Sequence, residues 1–153
     1  MDEIEIIEWE DQYSKDFVSL SIEWLEKYVS VEPLDWEMLN HPHDVILDKG
    51  GNIFFAKYAD RVIGTVAMIK EEADTFELAK LAVTEEFKGL KIGSKLMERC
   101  IWFAKENVAE RIILYTNHKL VPAIRLYKKY GFKEVALKHN KYLESDMKME
   151  LVL

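Results

Sequence analysis

The sequence predicts an α/β protein, a mixed central sheet of about six or seven strands flanked by about four helices. Three observations predict it. Strand-like and helix-like hydrophobic periods follow one another as strand, two helices, three strands, helix, strand, helix, two strands. Hydrophobic residues make up 49% of the 153, enough for a contiguous core. No repeat, low-complexity tract or Pro/Gly/Ser-rich linker interrupts the chain, so a single domain over residues 1–153 is expected.

Residues 3–9 read as the first strand, with Ile4 and Ile6 alternating against acids. Residues 12–28 carry Phe17, Leu20, Trp24, Leu25 and Tyr28 at helical spacing, with Ser14 as the expected cap. Residues 33–40 form a short helix with Pro33 in its first turn, and His41-Pro42 is expected to break it. Gly50-Gly51 marks a turn; residues 52–58 and 62–69 flank Ala59-Asp60-Arg61 as a hairpin, and 76–83 is the next strand. Residues 92–107 are the strongest helix, with Ile92, Leu96, Cys100 and Ala104 on one stripe. A short apolar strand, 111–116, follows. Residues 122–130 are a helix, with proline at its start and Gly131 as the left-handed residue after it. Strands 132–136 and 147–153 close the chain. The unit from Phe76 to Thr116 is expected to be a right-handed parallel crossover.

The net charge is −7, which argues against a general nucleic-acid binder, since that needs a basic face. An acidic excess chiefly serves solubility and is compatible with drawing a cationic acceptor to an acidic cleft. Cys100 is the single cysteine, so no intrachain disulfide forms and a reducing compartment is implied. No apolar run is long enough to span a bilayer, and the acidic start MDEIEIIEWE is unlike a secretory signal. A cytoplasmic protein with no membrane partner is expected.

Residues 87–96 read FKGLKIGSKL, between a strand and the strongest helix. They match neither the Walker A pattern nor the dinucleotide G-x-G-x-x-G. A helix N-terminus with free N–H groups, two glycines and three lysines can hold an anion. On these residues alone, an anion site and an ordinary basic turn stand level.

The string ELAKLAVTEEFKGLKIGSKLM, followed by LYTNHKLVPAIRLYKKYGF, resembles the GNAT superfamily of acetyl-CoA-dependent N-acetyltransferases. The family hallmark, Q/R-x-x-G-x-G/A, falls on Lys88, Gly89, Leu90, Lys91, Ile92 and Gly93. Lys88 stands where glutamine or arginine is usual, and Lys91 where the first glycine is usual. AIRLYKKYGF, residues 123–132, is a familiar segment of the same family. The resemblance covers residues 75–132.

It implies an acyltransferase that moves acetyl from acetyl-CoA to a primary amine by direct attack, with no metal. The alternative is a non-catalytic acyl-CoA-binding module of the same fold. Leu81, Ala82 and Val83 would offer backbone groups to the pantetheine arm, Lys88 through Ser94 would hold the pyrophosphate, and Asn117 would lie beside the cofactor. Tyr127 aligns with the tyrosine that protonates the departing thiolate, although helix packing explains it too. Glu77 falls where histone-type members carry their general base. Strand alternation would place Glu77, Ala79, Leu81 and Val83 on one face, and an apolar groove would raise the carboxyl's pKa. His118 is a weaker candidate base. Glu23, Trp24, Tyr28 and Trp36 are acceptor contacts by position in the first helices, with core packing the default for the aromatics. His41-Pro42-His43-Asp44 reads as a solvent-facing turn, and Cys100 as core. A small-molecule amine is favoured over a protein as acceptor, and a homodimer is left open.

Overall fold

The computed structural model describes residues 3–89 and 91–153. Along residues 52–58 neighbouring side chains alternate between two cores: Phe54 and Ala56 enter one, Ile53 and Phe55 the other. A strand buried on both sides belongs to a sheet covered on both faces, and that is the architecture. In chain order the elements are β1 (Ile4–Glu8), a 3-10 turn (Asp11–Tyr13), α1 (Ser14–Tyr28), α2 (Pro33–Asn40) and α3 (Pro42–Val45). Then come β2 (Asn52–Tyr58), β3 (Arg61–Glu72), β4 (Thr75–Val83), α4 (Ile92–Glu106) and β5 (Arg111–Thr116). The chain ends with α5 (Val121–Lys129), β6 (Lys133–Val135) and β7 (Met147–Val152).

The seven strands form one mixed sheet in the order β1-β2-β3-β4-β5-β7-β6. Only β4 and β5 pair in parallel, as the crossover through α4 requires. On one face Ile92, Leu96, Met97, Cys100 and Ala104 of α4 pack against Phe54, Val66, Phe76 and Ile112. On the other, Phe17 of α1 with Met38 and Leu39 of α2 cover Ile53, Phe55, Ala67 and Ile69. Cys100 is wholly buried in the first core, where burial pushes its thiol pKa up.

Two local expectations, the serine cap and the hairpin turn, are corrected. Ser14 is the first residue of α1; Tyr13 holds the cap position and no side chain caps it. The 3-10 turn feeds straight into the helix and leaves no room for a serine cap. As expected, His41-Pro42 ends α2 at Asn40; it also opens a further turn, α3, because proline at a first helical position lacks only an N–H that would have no helical partner. The hairpin turn is shorter than expected: β3 begins at Arg61, paired with Tyr58, and runs on to Glu72. Gly131 has the expected left-handed backbone, φ 98°.

Candidate active site

The site lies where the parallel ladder fails. β4 and β5 pair from Thr75 to Glu77 against Arg111 to Ile113 and then separate, leaving a wedge in the middle of the sheet. On its other edge β4 carries a bulge. Between the pairs Thr65–Ala82 and Ala67–Ala79, one residue of β3, Val66, opposes two of β4, Lys80 and Leu81, and Lys80 takes a left-handed φ of 57°. The extra residue switches the faces. Ala79 packs with the α1–α2 core, whereas Leu81 and Val83 pack with the α4 core. The expectation that Glu77, Ala79, Leu81 and Val83 share one face is therefore overturned; the alternation breaks at Lys80.

Past Glu77 the β5-facing edge of β4 has no ladder partner among the described residues, so its backbone groups line the wedge. The inner part of the wedge is a cavity of about 110 Å³, bounded by residues 77–82 of β4 and by Tyr115, Thr116 and Asn117 of β5 and its end. It opens into a groove of about 600 Å³ between the start of α4 and α5. Trp24, Leu81, Leu120 and Tyr127 line both, so the two spaces meet at these residues.

The groove's floor is the loop singled out in the sequence. Gly89 has φ 83° and Lys91 has φ 60°, both left-handed, and α4 starts at Ile92 with no side chain capping it. Free N–H groups at the start of this fifteen-residue helix thus face a groove also lined by Lys88, Gly89, Lys91, Gly93 and Ser94. Leu90 lies outside the described residues. Ile92 sends its side chain into the core, so only its backbone serves the loop. Lys88 folds back, its Nζ 3.0 Å from Glu85 and 4.2 Å from the centre of the Tyr28 ring. At Gly93 a Cβ would lie 3.3 Å from Leu126, so α4 and α5 approach closely there.

Tyr127 is 8% exposed, and burial pushes its phenol up to about 12, keeping it protonated at neutral pH. Glu77 is 1% exposed. Burial pushes its carboxyl up to about 7, helped by a hydrogen bond with Glu71 and opposed by Lys141 and Tyr142. Lys141 Nζ lies 2.5 Å from Glu77 Oε1, and the Tyr142 hydroxyl donates to Oε2 at 2.6 Å. Both belong to a strap, residues 136–146, that crosses the wedge from β6 to β7. The strap is tied down: the N–H groups of Leu143 and Glu144 donate to Glu32 at 2.8 and 3.0 Å, and Asn117 Nδ2 donates to the Glu144 carbonyl at 2.7 Å.

The acceptor guesses divide. Trp24 and Tyr28 line the groove, their rings tilted at 41° with centres 5.2 Å apart, and Trp24 also reaches the inner cavity. Glu23 accepts from the Thr84 hydroxyl and the Glu85 N–H, both at 3.2 Å, and so anchors the chain after β4. Trp36 is 44% exposed and lines neither space; its position on α2 turns it outward. His118 pairs with Asp146 and likewise lines neither space. His43 pairs with Asp11 on the surface. Sequence reasoning missed Glu71, Lys141, Tyr142 and the enclosed Asp35–Lys80 ion pair. Lys141 and Tyr142 lie in a segment without a hydrophobic period, and the pairings of Glu71, Asp35 and Lys80 depend on contacts distant in sequence.

The sheet, its wedge and the loop at α4 together meet a known pattern: the sequence model of the Acetyltransferase (GNAT) family matches residues 4–132. The chain belongs to this family. A GNAT-family acetyltransferase of Staphylococcus aureus Mu50 superposes with TM-score 0.88 at 24% identity, covering 97% of this chain and 98% of that one. YncA of Salmonella typhimurium, a putative acetyltransferase solved with its cofactor acetyl-CoA, superposes at 0.79 with 16% identity, covering 98% and 94%. By sequence the chain is 28% identical over 115 residues to YvbK, an uncharacterised N-acetyltransferase of Bacillus subtilis, covering 73% of this chain and 74% of that one. It spans less of other curated relatives, down to 27% of one from Dictyostelium discoideum. GNAT membership implies acyl transfer from an acyl-coenzyme A. Among the described residues no helix is long and apolar enough to cross a membrane.

Proposed function

We propose that this GNAT protein transfers an acetyl group from acetyl-CoA to the primary amine of a small cationic acceptor by direct attack, without an acyl-enzyme. One observation carries the reading: the wedge between β4 and β5 connects a buried carboxylate, Glu77, to the groove at the start of α4, with Tyr127 where the two meet.

The residues fit the coenzyme. The unpaired edge of β4 at Leu81, Ala82 and Val83 can pair with the amides of a pantetheine arm as an added strand would. The N–H groups from Lys88 to Ser94, with the helix dipole behind them, suit a pyrophosphate. Asn117 stands on the opposite wall of the wedge. When bound, acetyl-CoA supplies an activated thioester.

The protein's own groups then handle protons. An amine attacks only when neutral, so a base is needed, and a carboxyl held near 7 is matched to that task at neutral pH. Glu77 takes the proton of the acceptor's ammonium. Strand amides of β4 stabilise charge on the carbonyl oxygen. Tyr127, protonated because it is buried, gives its proton to the departing sulfur and is reprotonated by the second proton that the nitrogen sheds as the amide forms. Cys100 is wholly buried in the α4 core and lines neither space, which agrees with direct attack.

Thiol release from acetyl-CoA with a panel of small amines tests the reading. Glu77→Gln should lower kcat about a hundredfold while coenzyme affinity holds, and Tyr127→Phe should lower it about tenfold or more. Tight coenzyme binding without thiol release for any amine would mark a binding module and overturn the enzymatic reading.

A further inference from the structure

A base as deeply buried as Glu77 must lose its proton again before the next turnover. The side chains around it form a line to the surface. Glu71, near the end of β3, has a side chain 31% exposed, and its carboxyl lies close enough to that of Glu77 to raise it. Lys141 Nζ spans the two, 2.8 Å from Glu71 Oε1 and 2.5 Å from Glu77 Oε1, with its own side chain 25% exposed. A buried acid, a bridging cation and a half-exposed acid thus run from the inner cavity outward.

We propose that Glu71 is a positioning residue that carries the proton from Glu77 to solvent, with Lys141 clamping the two carboxylates together. This rests on Glu77 being the base. The bookkeeping of the step is simple: the acceptor's N–H bond breaks as an O–H bond forms on Glu77. That proton passes to Glu71 and then to water or buffer, and no electrons change hands. Two neighbouring carboxylates resist both being ionised, so the pair holds one proton, which rests on Glu77, while the contacts with Glu77 and Lys141 lower the Glu71 carboxyl. Lys141 offsets this repulsion and lets the proton leave Glu77.

Every element packed here contributes to the field at Glu77. Glu71 comes from β3, Lys141 and Tyr142 from the strap, and Tyr115 from β5. Further out stand Lys148 of β7, which acts on Glu71, and Asp35 of α2 with its partner Lys80 of β4, where Asp35 acts on Tyr142. Removing Glu71's charge takes away a neighbour that raises the Glu77 pKa, and removing Lys141 takes away one that lowers it. The two substitutions should therefore move the acid limb of the pH–rate profile in opposite directions.

The experiment measures pH–rate profiles for the full chain with acetyl-CoA and the best amine of the panel, for Glu71→Gln, Lys141→Met and Glu77→Gln. Glu71→Gln should lower kcat about tenfold with the amine KM unchanged, move the acid limb down by about one pH unit, and recover rate in added imidazole. Lys141→Met should move the limb up by a similar amount, and Lys141→Arg should restore it. If Glu77→Gln is inactive while Glu71→Gln and Lys141→Met keep wild-type rates and unshifted profiles, the relay is overturned and the base reading survives. An active Glu77→Gln removes the base itself, and the relay with it.

Discussion

Lys91 holds a backbone conformation that its side chain disfavours. At φ 60° and ψ 24° it sits in the left-handed region, where a Cβ costs about 1–2 kcal/mol. The sequence showed the departure from the usual glycine, but not that the turn keeps a glycine's dihedral angles beneath a lysine. The loop geometry therefore survives the substitution, and the backbone N–H remains available. Lys91→Gly should relieve the strain, less a part lost to the greater freedom of glycine in the unfolded chain. The expected result is a rise in Tm of about 2–4 °C, with coenzyme affinity reduced only by the lost charge. A lower Tm in the melt would show that the lysine side chain holds the turn. Tyr127 illustrates the converse: its type and helix position were legible, but its place at the meeting of the two spaces depends on the close approach of α4 to α5.

Strands and helices were legible because their hydrophobic periods are intact: α2 was expected over residues 33–40 and is found as Pro33–Asn40. β4 was legible as a strand but not as a bulged one. Its letters LAKLAV alternate plausibly either way, and only pairing with β3 reveals the extra residue. The bulge aims Lys80 at Asp35, and their side chains are 6% and 4% exposed, so an enclosed ion pair ties α2 to the wall of the wedge. The strap was illegible for a different reason. Its run LKHNKYLESD has neither period, and what fixes it is long-range hydrogen bonding to Glu32 and Asn117. Removing one partner of an enclosed pair strands the other charge. Lys80→Met should therefore cost about 3–5 kcal/mol. The double substitution with Asp35→Leu should recover much of that, as read by denaturant unfolding of the single and double variants. Equal losses in single and double variants would mean that the pair contributes through packing alone.

Across the whole molecule, the most deeply buried carboxyl in the site sets activity against stability. Glu77 has an ordinary pKa of 4.5 and is pushed to about 7 in the folded chain. Below 4.5 it is protonated whether the chain is folded or not, and it costs nothing. Between 4.5 and 7 the unfolded chain releases the proton while the folded chain retains it, so stability falls as pH rises. Above 7 the loss is complete, about 3 kcal/mol from the size of the shift. Glutamine keeps the shape and never ionises, so Glu77→Gln should match the wild type near pH 4.5 and exceed it by several degrees of Tm at pH 8. The two proteins differ at Glu77 and in the groups that titrate with it, Glu71, Lys141 and Tyr142, so the difference between their melts reads this cluster. A difference that stays constant from pH 4.5 to 8 would show that Lys141 and Tyr142 stabilise the ionised carboxylate as well as water does. In that case Glu77 would not be held near neutrality, and the protein would lack a base matched to an amine acceptor.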